Sequence, residues 1–218
     1  AGWNHPSWSI SAEWFAYLTF PVFAAAAWKL RIRPWLATGA SALFLVALYV
    51  GFERVAGYRL TEATFKWGAL RIVPCFAYGC ALYLVYRRAP LPRAGLLALA
   101  AAVVTALSAS LMSWDGITVL SGGLLILALA SIPANKAGVL GSAPAVYLGE
   151  ISYAVYMLCA PWQILAVNVA ARLTGAEDKQ LPLVLWLAII AGLIVAAAIV
   201  HQLIERPARR FLRGWAQT

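Results

Sequence analysis

Apolar residues follow one another in long stretches along this chain, and short polar segments separate the stretches. A membrane-spanning helix needs about 20 apolar residues, because the hydrocarbon core is about 30 Å thick and each helical residue adds about 1.5 Å. Backbone exposed to lipid must satisfy its own hydrogen bonds, and the stretches lack the alternation of barrel strands, so they predict helices. Seven windows approach the required length: Ala12–Trp28, Trp35–Phe52, Ala69–Tyr86, Gly95–Met112, Ile117–Ile132, Ile151–Ala171 and Leu181–Ile204.

The composition indicates the same class of protein. Hydrophobic residues make up 63% of the 218 residues and charged residues 11%, whereas a water-soluble domain carries roughly 25% charged residues. So few charges cannot cover a globular core of this size. We therefore predict an all-α, polytopic transmembrane helical bundle that occupies residues 1–218 as a single region.

The charged residues predict the orientation in the membrane. Most basic residues lie in alternate connections on one face, and the acidic residues of the other connections lie opposite. The positive-inside rule places the N-terminal segment outside and the C-terminus in the cytoplasm. Lipid headgroups explain these short clusters better than nucleic acid does, although the net charge is +9. The basic set is Lys29, Arg31, Arg33, Arg87, Arg88, Arg93, Lys136, Arg206, Arg209, Arg210 and Arg213, and the acidic set is Glu53, Glu62, Asp115, Glu177 and Asp178.

Glu13 and Arg71 are the first candidates for chemistry, because ionisable groups at membrane depth are costly and mark functional sites. Glu13 lies near the outer end of the first span, and Arg71 lies near the outer end of the third. We hypothesise that both side chains face the bundle interior and pair there. Structural roles stay open for each: Glu13 as a first-turn carboxylate stabilised by the helix dipole, and Arg71 as an arginine that reaches the headgroups.

A second polar segment precedes and enters the sixth window. Glu150 and Ser152 flank a predicted helix start on the cytoplasmic side, and Tyr153 and Tyr156 share one helical face. From the residues alone, a capped helix with interfacial tyrosines explains this segment better than a catalytic role does.

His201 and Glu205 form a third candidate group, because residues four apart can touch on one helix face. A histidine held by a carboxylate can act as a general acid or base. The alternative, a helix end followed by a basic tail, is favoured by the residues alone. Cys75, Cys80 and Cys159 lie in apolar windows without metal-ligand spacing. We therefore expect neither a metal nor a bound cofactor.

Four segments stand out together in the sequence. They are WSISAEWFAY from Trp8, LRIVPCFAYG from Leu70, LGEISYAVYMLCAP from Leu148 and IERPARR from Ile204. In this order, across nearly the whole chain, they resemble the membrane-bound acyltransferase 3 family. This family includes bacterial O-acetyltransferases of surface polysaccharides.

The resemblance implies a multi-pass protein of the bacterial inner membrane that transfers an acyl group, commonly acetyl, to a hydroxyl. The implied donor substrate is acyl-CoA, and the implied acceptor is a carbohydrate or a lipid-linked glycan; membrane lipids are the other partners. By resemblance, Trp8 and Glu13 belong to the family's WSxxxE element, and Arg71 is its arginine. The candidate residues are Glu13 and Arg71 for catalysis, Trp8, Ser9 and Tyr156 for substrate binding, and His201 with Glu205 as an acid/base pair.

The chain departs from the family pattern in two ways. The family's catalytic histidine, which follows a basic residue, lies in an N-terminal part that this chain does not contain. We therefore expect the chain to be the C-terminal two-thirds of an acyltransferase, without about three spans of about 20 residues each, and inactive by itself. Family members also often have Tyr-x-x-His-x-Pro, whereas this chain has Cys159 between Tyr156 and Pro161.

Two other classes of function remain open. A transporter or lipid flippase module is compatible with Ala- and Gly-rich spans, a proline within a span and an intramembrane arginine. A non-catalytic partner of another membrane enzyme is the third reading. Acyl transfer to a sugar, as opposed to flux without covalent change, distinguishes the enzyme from the transporter.

Overall fold

The computed structural model describes residues 8–63, 66–111, 114–175 and 181–215, without the side chain of Trp8. Within these ranges the protein is helical and contains no strand, which confirms the predicted all-α membrane fold. A π-helical turn, His201–Glu205, joins the last two helices. The helices are α1 (Trp8–Lys29), α2 (Pro34–Ala56), α3 (Gly68–Arg88), α4 (Ala94–Ser110), α5 (Asp115–Ala130), α6 (Ala143–Thr174), α7 (Leu183–Val200) and α8 (Arg206–Trp215).

Each predicted window overlaps one of these helices, and the last window, Leu181–Ile204, also covers most of the π-helical turn. Met112, the end of the fourth window, lies outside the described residues. The helical segments that begin with α1, α2, α3, α6 and α7 are long and apolar enough to cross a membrane. The apolar helices α4 and α5 have 17 and 16 residues, which corresponds to about 26 Å and about 24 Å at 1.5 Å per residue. A bilayer can thin around such short helices at modest cost. The count of seven spans stays a prediction.

The start of α6 corrects one detail of the sequence analysis. We predicted that Glu150 and Ser152 flank a helix start. The helix instead begins at Ala143, so both residues lie inside it. The reason is that Pro144 occupies the first turn, where a proline needs no backbone hydrogen bond and its fixed φ suits a helix. Glu150 and Ser152 therefore belong to one continuous helix.

The contacts divide the described chain into two compact units, Trp8–Ala137 and residues 138–215. In the first unit α3 packs against α1, α2 and α5, and α4 packs against α5. Phe76 of α3 meets Phe23 of α1 edge-on at 5.3 Å between ring centroids. Arg88, the last residue of α3, donates a hydrogen bond to the carbonyl of Ile32, just after α1 (3.1 Å). The helices α1 and α3 therefore run in the same direction.

Hydroxyl groups join α4 to α5 at membrane depth. Thr105 Oγ1 donates to Ser121 Oγ at 2.9 Å, and Ser108 Oγ and Thr118 Oγ1 lie 2.8 Å apart. Small polar residues at an interface let two helices approach closely and bond to each other within lipid. These two contacts stabilise the hairpin that positions the start of α5.

The second unit is built on an antiparallel pair, α6 and α7. Trp162 of α6 donates its indole N–H to the carbonyl of Ile189 in α7 (2.8 Å). The same ring lies against Gly192, where an added Cβ would be 2.6 Å from Trp162 Cζ2. Gly192 is therefore needed for close packing of this pair.

Both units expose large apolar side chains, as expected for surfaces that face lipid. Leu18 and Ile32 are each 74% exposed, and Leu173 is 81% exposed. Together with the lengths of the helices, this exposure identifies a membrane protein.

Candidate functional site

The first polar site lies at the end of the first unit where α3 and α5 begin. Arg71 donates from Nη1 to the carbonyl oxygen of Thr61 at 2.8 Å. Thr61 in turn donates its hydroxyl to the carboxylate of Asp115, the first residue of α5. Arg59 Nη1 lies 3.5 Å from the same carboxylate. Two arginines, a hydroxyl and a carboxylate therefore meet at one end, which is the end predicted to face outward.

The connection between α2 and α3 folds so that it brings these groups together. Gly57 ends α2 with φ 76°, a left-handed conformation that glycine adopts without strain, and its N–H bonds to the Glu53 carbonyl. A 3-10 turn, Leu60–Glu62, follows. Leu60 is 1% exposed and packs in a core cluster with Leu45 and Tyr49. This anchor holds Arg59 and Thr61, the neighbours of Leu60, over the start of α5.

A less polar layer lies beside Arg71 toward the membrane centre. Cys75 is four residues after Arg71, and its Sγ lies 3.7 Å from Tyr49 Oη. The ring of Tyr49 meets Trp114 edge-on at 6.3 Å. Below this layer, a groove of about 560 Å³ runs between α3 and α5 and extends to Ala130. The polar end and the apolar groove meet at Cys75.

Glu13 lies at the same end of the unit as Arg71. Glu13 is seven residues before Phe20, and Arg71 is five residues before Phe76; the two rings are 6.1 Å apart. At 1.5 Å per residue the two ionisable groups lie about 10 Å and about 7 Å from that contact, so their depths agree within about 3 Å. This agreement fits the depth predicted from the sequence.

In the described parts of the chain, no ion pair of the kind that we hypothesised joins Glu13 to Arg71. One contact of Arg71 is its hydrogen bond to the Thr61 carbonyl. Glu13 is half-buried on α1, and Ser9 is half-buried in the first turn of the same helix. Trp8 begins α1, but its side chain lies outside the described residues. The roles of these residues stay predictions.

A second polar site lies in the second unit, around the π-helical turn. His201 is 4% exposed, and its Nδ1 lies 2.9 Å from Glu205 Oε2. Arg209 binds the other carboxylate oxygen. Gln202 donates to the Tyr147 hydroxyl at 3.1 Å, and the Tyr147 ring meets His201 edge-on. The predicted contact between His201 and Glu205 is therefore present, while its acid/base role stays a prediction.

Tyr156 lies in α6 and is 42% exposed. The thiol of Cys159, which occupies the position of the family histidine, donates to the Tyr156 carbonyl at 3.0 Å. That bond ties Cys159 to its own helix. The substrate-binding role of Tyr156 stays a prediction.

Sequence reasoning missed several members of both sites. Arg59 and Thr61 lie 56 and 54 residues before Asp115, and no local spacing marks their contact with it. The link from Glu205 to Arg209 could have been found, because the two residues are four apart on one helix. Among the described residues, no three histidine, cysteine, aspartate or glutamate side chains converge as metal ligands would.

Comparisons with known proteins agree with the family resemblance. The family described as "acyltransferase domain", acyltransferase 3, matches residues 1–201. Acyltransferase MdmB of Streptomyces mycarofaciens is 31% identical over 97% of this chain and 59% of its own length. The chain thus spans about three-fifths of that curated relative. No solved structure gives a match. The predicted resemblance is confirmed: this chain belongs to the acyltransferase 3 family of membrane-bound acyltransferases.

Proposed function

We propose that the chain is the acceptor-side part of an O-acyltransferase of the bacterial inner membrane. In this proposal an acyl group, acetyl in the first instance, moves from acyl-CoA to a hydroxyl of a cell-surface carbohydrate. The family match supports the reaction type. The observation that carries the proposal is the position of Arg71, which is held by the Thr61 carbonyl at the same end of the unit as Glu13.

The reaction needs two kinds of help. The acceptor oxygen attacks the carbonyl carbon of the thioester, the C–S bond breaks, and the hydroxyl proton passes through a base to the leaving thiolate. Negative charge collects on the carbonyl oxygen in the transition state, and a fixed cationic donor stabilises it. Arg71 is suited to this second task, because its guanidinium is a permanent cation with five N–H donors and the Thr61 carbonyl fixes its position.

In this proposal Glu13 binds and orients the acceptor. A half-buried carboxylate at the depth of Arg71 can accept a hydrogen bond from a sugar hydroxyl and orient it toward the acyl carbon. Trp8 and Ser9, in the first turn of α1, belong to the same motif and are proposed to contact the sugar. The principal base is the histidine that the resemblance places upstream of these residues, so the chain by itself is expected to give no turnover.

The test compares two kinds of membrane preparation. One contains this chain, and the other contains the chain extended by the codons upstream of Ala1; both receive acetyl-CoA labelled in the acetyl group and surface carbohydrate as acceptor. We expect label on the carbohydrate only with the extended protein. Label transferred by the chain alone would refute the assignment of the base. Flux of a substrate without covalent change would favour the transporter reading.

Two substitutions in the extended protein test the residue roles. Arg71→Gln should lower kcat about 100-fold, as loss of one oxyanion donor does. Glu13→Gln should lower kcat/KM about 100-fold through misplacement of the acceptor. The matched controls are Arg54→Gln and Glu53→Gln, which change exposed residues in the last turns of α2. Equal activity of Arg71→Gln and Arg54→Gln would overturn the role of Arg71.

A further inference from the structure

The end of the second unit contains a basic pocket that the proposed chemistry leaves unused. It has a volume of about 300 Å³, which is at the small end of the range for ligand sites. Its lining consists of Glu150, His201, Arg206, Arg209, Arg210 and Arg213. The arginines outnumber the carboxylates at this cavity, so a bound anion would lower the repulsion between their guanidinium groups.

The arrangement follows from the helical period of α8. At 100° per residue, the four arginines fall on one side of the helix, and the large apolar residues fall on the opposite side. Phe211 and Trp215 on that opposite side stack at 5.9 Å between ring centroids and are well exposed. Such an apolar face suits the lipid boundary. The arginine face therefore points away from the surface that suits lipid.

The side chains at the base of the pocket are held in place by contacts with each other. His201 is buried there, fixed by Glu205, and Glu205 is fixed in turn by Arg209. The segment between His201 and Glu205 forms a π-helical turn, and such turns are rare and often lie at functional sites. The turn puts the ring of His201 beneath the arginine face of α8.

The net positive charge of the pocket favours an anionic ligand. Four arginines against Glu150 leave the lining at +3, and the ion pair of Arg209 with Glu205 reduces the local charge to +2. A phosphate monoester carries close to two negative charges and three acceptor oxygens, and arginine binds it through paired N–H groups. The geometry points to a phosphate-binding site for the 3′-phosphate of the acyl-CoA donor.

This inference rests on the proposed function for the identity of the donor. The cavity has room for the phosphate end of CoA but not for the whole molecule, so the pantetheine arm extends beyond it. The predicted topology places this end of the chain in the cytoplasm, where acyl-CoA is available. A phospholipid headgroup shares the same phosphate chemistry, and the experiment distinguishes the two sources.

The experiment measures binding without turnover. The chain is placed in phosphatidylcholine nanodiscs and titrated with CoA and with dephospho-CoA, which lacks the 3′-phosphate. CoA should bind at least about tenfold more tightly than dephospho-CoA. Arg206→Gln, Arg210→Gln and Arg213→Gln should each weaken CoA binding about five- to tenfold and leave dephospho-CoA nearly unchanged. Arg209 is kept, because it also holds Glu205.

Two further variants separate ligand binding from structure. Glu150→Gln removes the opposing charge and should tighten CoA binding about threefold; a merely structural role would not produce opposite effects from the two charge types. Arg172→Gln, in the last turn of α6 at the other end of the helix, is the control and should have no effect. All variants should keep the helical circular-dichroism signal of the parent, because the substituted arginines are exposed.

Several results would overturn the inference. They are absence of saturable CoA binding, equal affinity for CoA and dephospho-CoA, and equal effects of Arg210→Gln and Arg172→Gln. Competitive displacement of CoA by phosphatidylglycerol in mixed nanodiscs would assign the pocket to a lipid headgroup and reject the donor. The acyl-transfer assay is independent, so CoA binding to the chain combined with no transfer by the extended protein would count against the proposed function alone.

Discussion

Gly123 and Gly122 are neighbours in α5, and only one of them faces a close neighbour in α3. A Cβ added at Gly123 would collide with the ring of Tyr78 and lie 3.1 Å from Leu82 Cδ1, whereas a Cβ at Gly122 meets nothing within 4 Å. Tyr78 is 4% exposed, and its hydroxyl donates to the Leu120 carbonyl at 3.2 Å. The ring therefore cannot move aside without breaking a contact.

The magnitude follows from the comparison of the two alanine variants. In each, Gly→Ala contributes the same gain in helix propensity, about 0.5–1 kcal/mol, which cancels in the difference. What remains is the cost of overpacking at Gly123, about 1–3 kcal/mol. We expect Gly123→Ala to have a lower free energy of unfolding than Gly122→Ala by that amount.

The assay is reversible unfolding in mixed micelles with increasing sodium dodecyl sulfate, followed by tryptophan fluorescence and circular dichroism. A double-mutant cycle with Tyr78→Phe adds a second reading, because loss of the hydroxyl frees the ring and should recover part of the cost. Equal stability of the two alanine variants, within about 0.5 kcal/mol, would refute the close packing of α3 on α5.

The remaining predictions concern the polar ends, the second unit and the topology. Asp115→Asn should lower the free energy of unfolding by about 1 kcal/mol, because it removes the helix-dipole interaction and the Arg59 contact. The exposed control Glu62→Gln should leave the free energy of unfolding unchanged. Identical unfolding curves of the two variants would count against the site at the start of α5. Trp162→Phe should cost about 1 kcal/mol in the same assay, because it removes the hydrogen bond to Ile189, and an unchanged midpoint would contradict the bond. Two cysteine variants, made after the native cysteines are replaced by alanine, test the orientation. Lys66→Cys should react with an impermeant thiol reagent in intact spheroplasts, and Lys136→Cys should react only after permeabilisation. The reverse pattern would contradict the predicted orientation. These two lysines are both exposed and form a matched pair.

The helices could be predicted from the sequence because, in lipid, an apolar stretch must satisfy its backbone internally. The start of α6 could not, since Pro144 fits either a connection or a first helical turn. The π-helical turn at His201 was also invisible, because its sequence fits an ordinary helix equally well. In each case the missing information was a choice between two locally acceptable backbones.

Some contacts of the candidate sites were also predictable from the sequence, and others were not. The pair His201–Glu205 was predictable, since the two residues are four apart in one continuous helical segment, although the π-helical form of that segment was not. The partner of Arg71 was not, because Thr61 lies in a connection whose course depends on the burial of Leu60. Sequence spacing constrains contacts within a helix, while contacts between connections depend on packing across the unit.

The placement of polar groups within the first unit limits where the proposed acyl transfer can occur. Arg71, Asp115 and Thr61 lie at the start of α3 and α5, and the groove below Cys75 is lined almost entirely by apolar side chains. A carbohydrate hydroxyl that entered the groove would lose its hydrogen bonds to water, at a cost of several kcal/mol for each unpaired group. At the end of the unit, the same hydroxyl keeps access to water and to Arg71. We therefore expect the proposed sugar acceptor to react at this end. A substitution deep in the groove should lower the stability of the unit without changing the affinity for the acceptor.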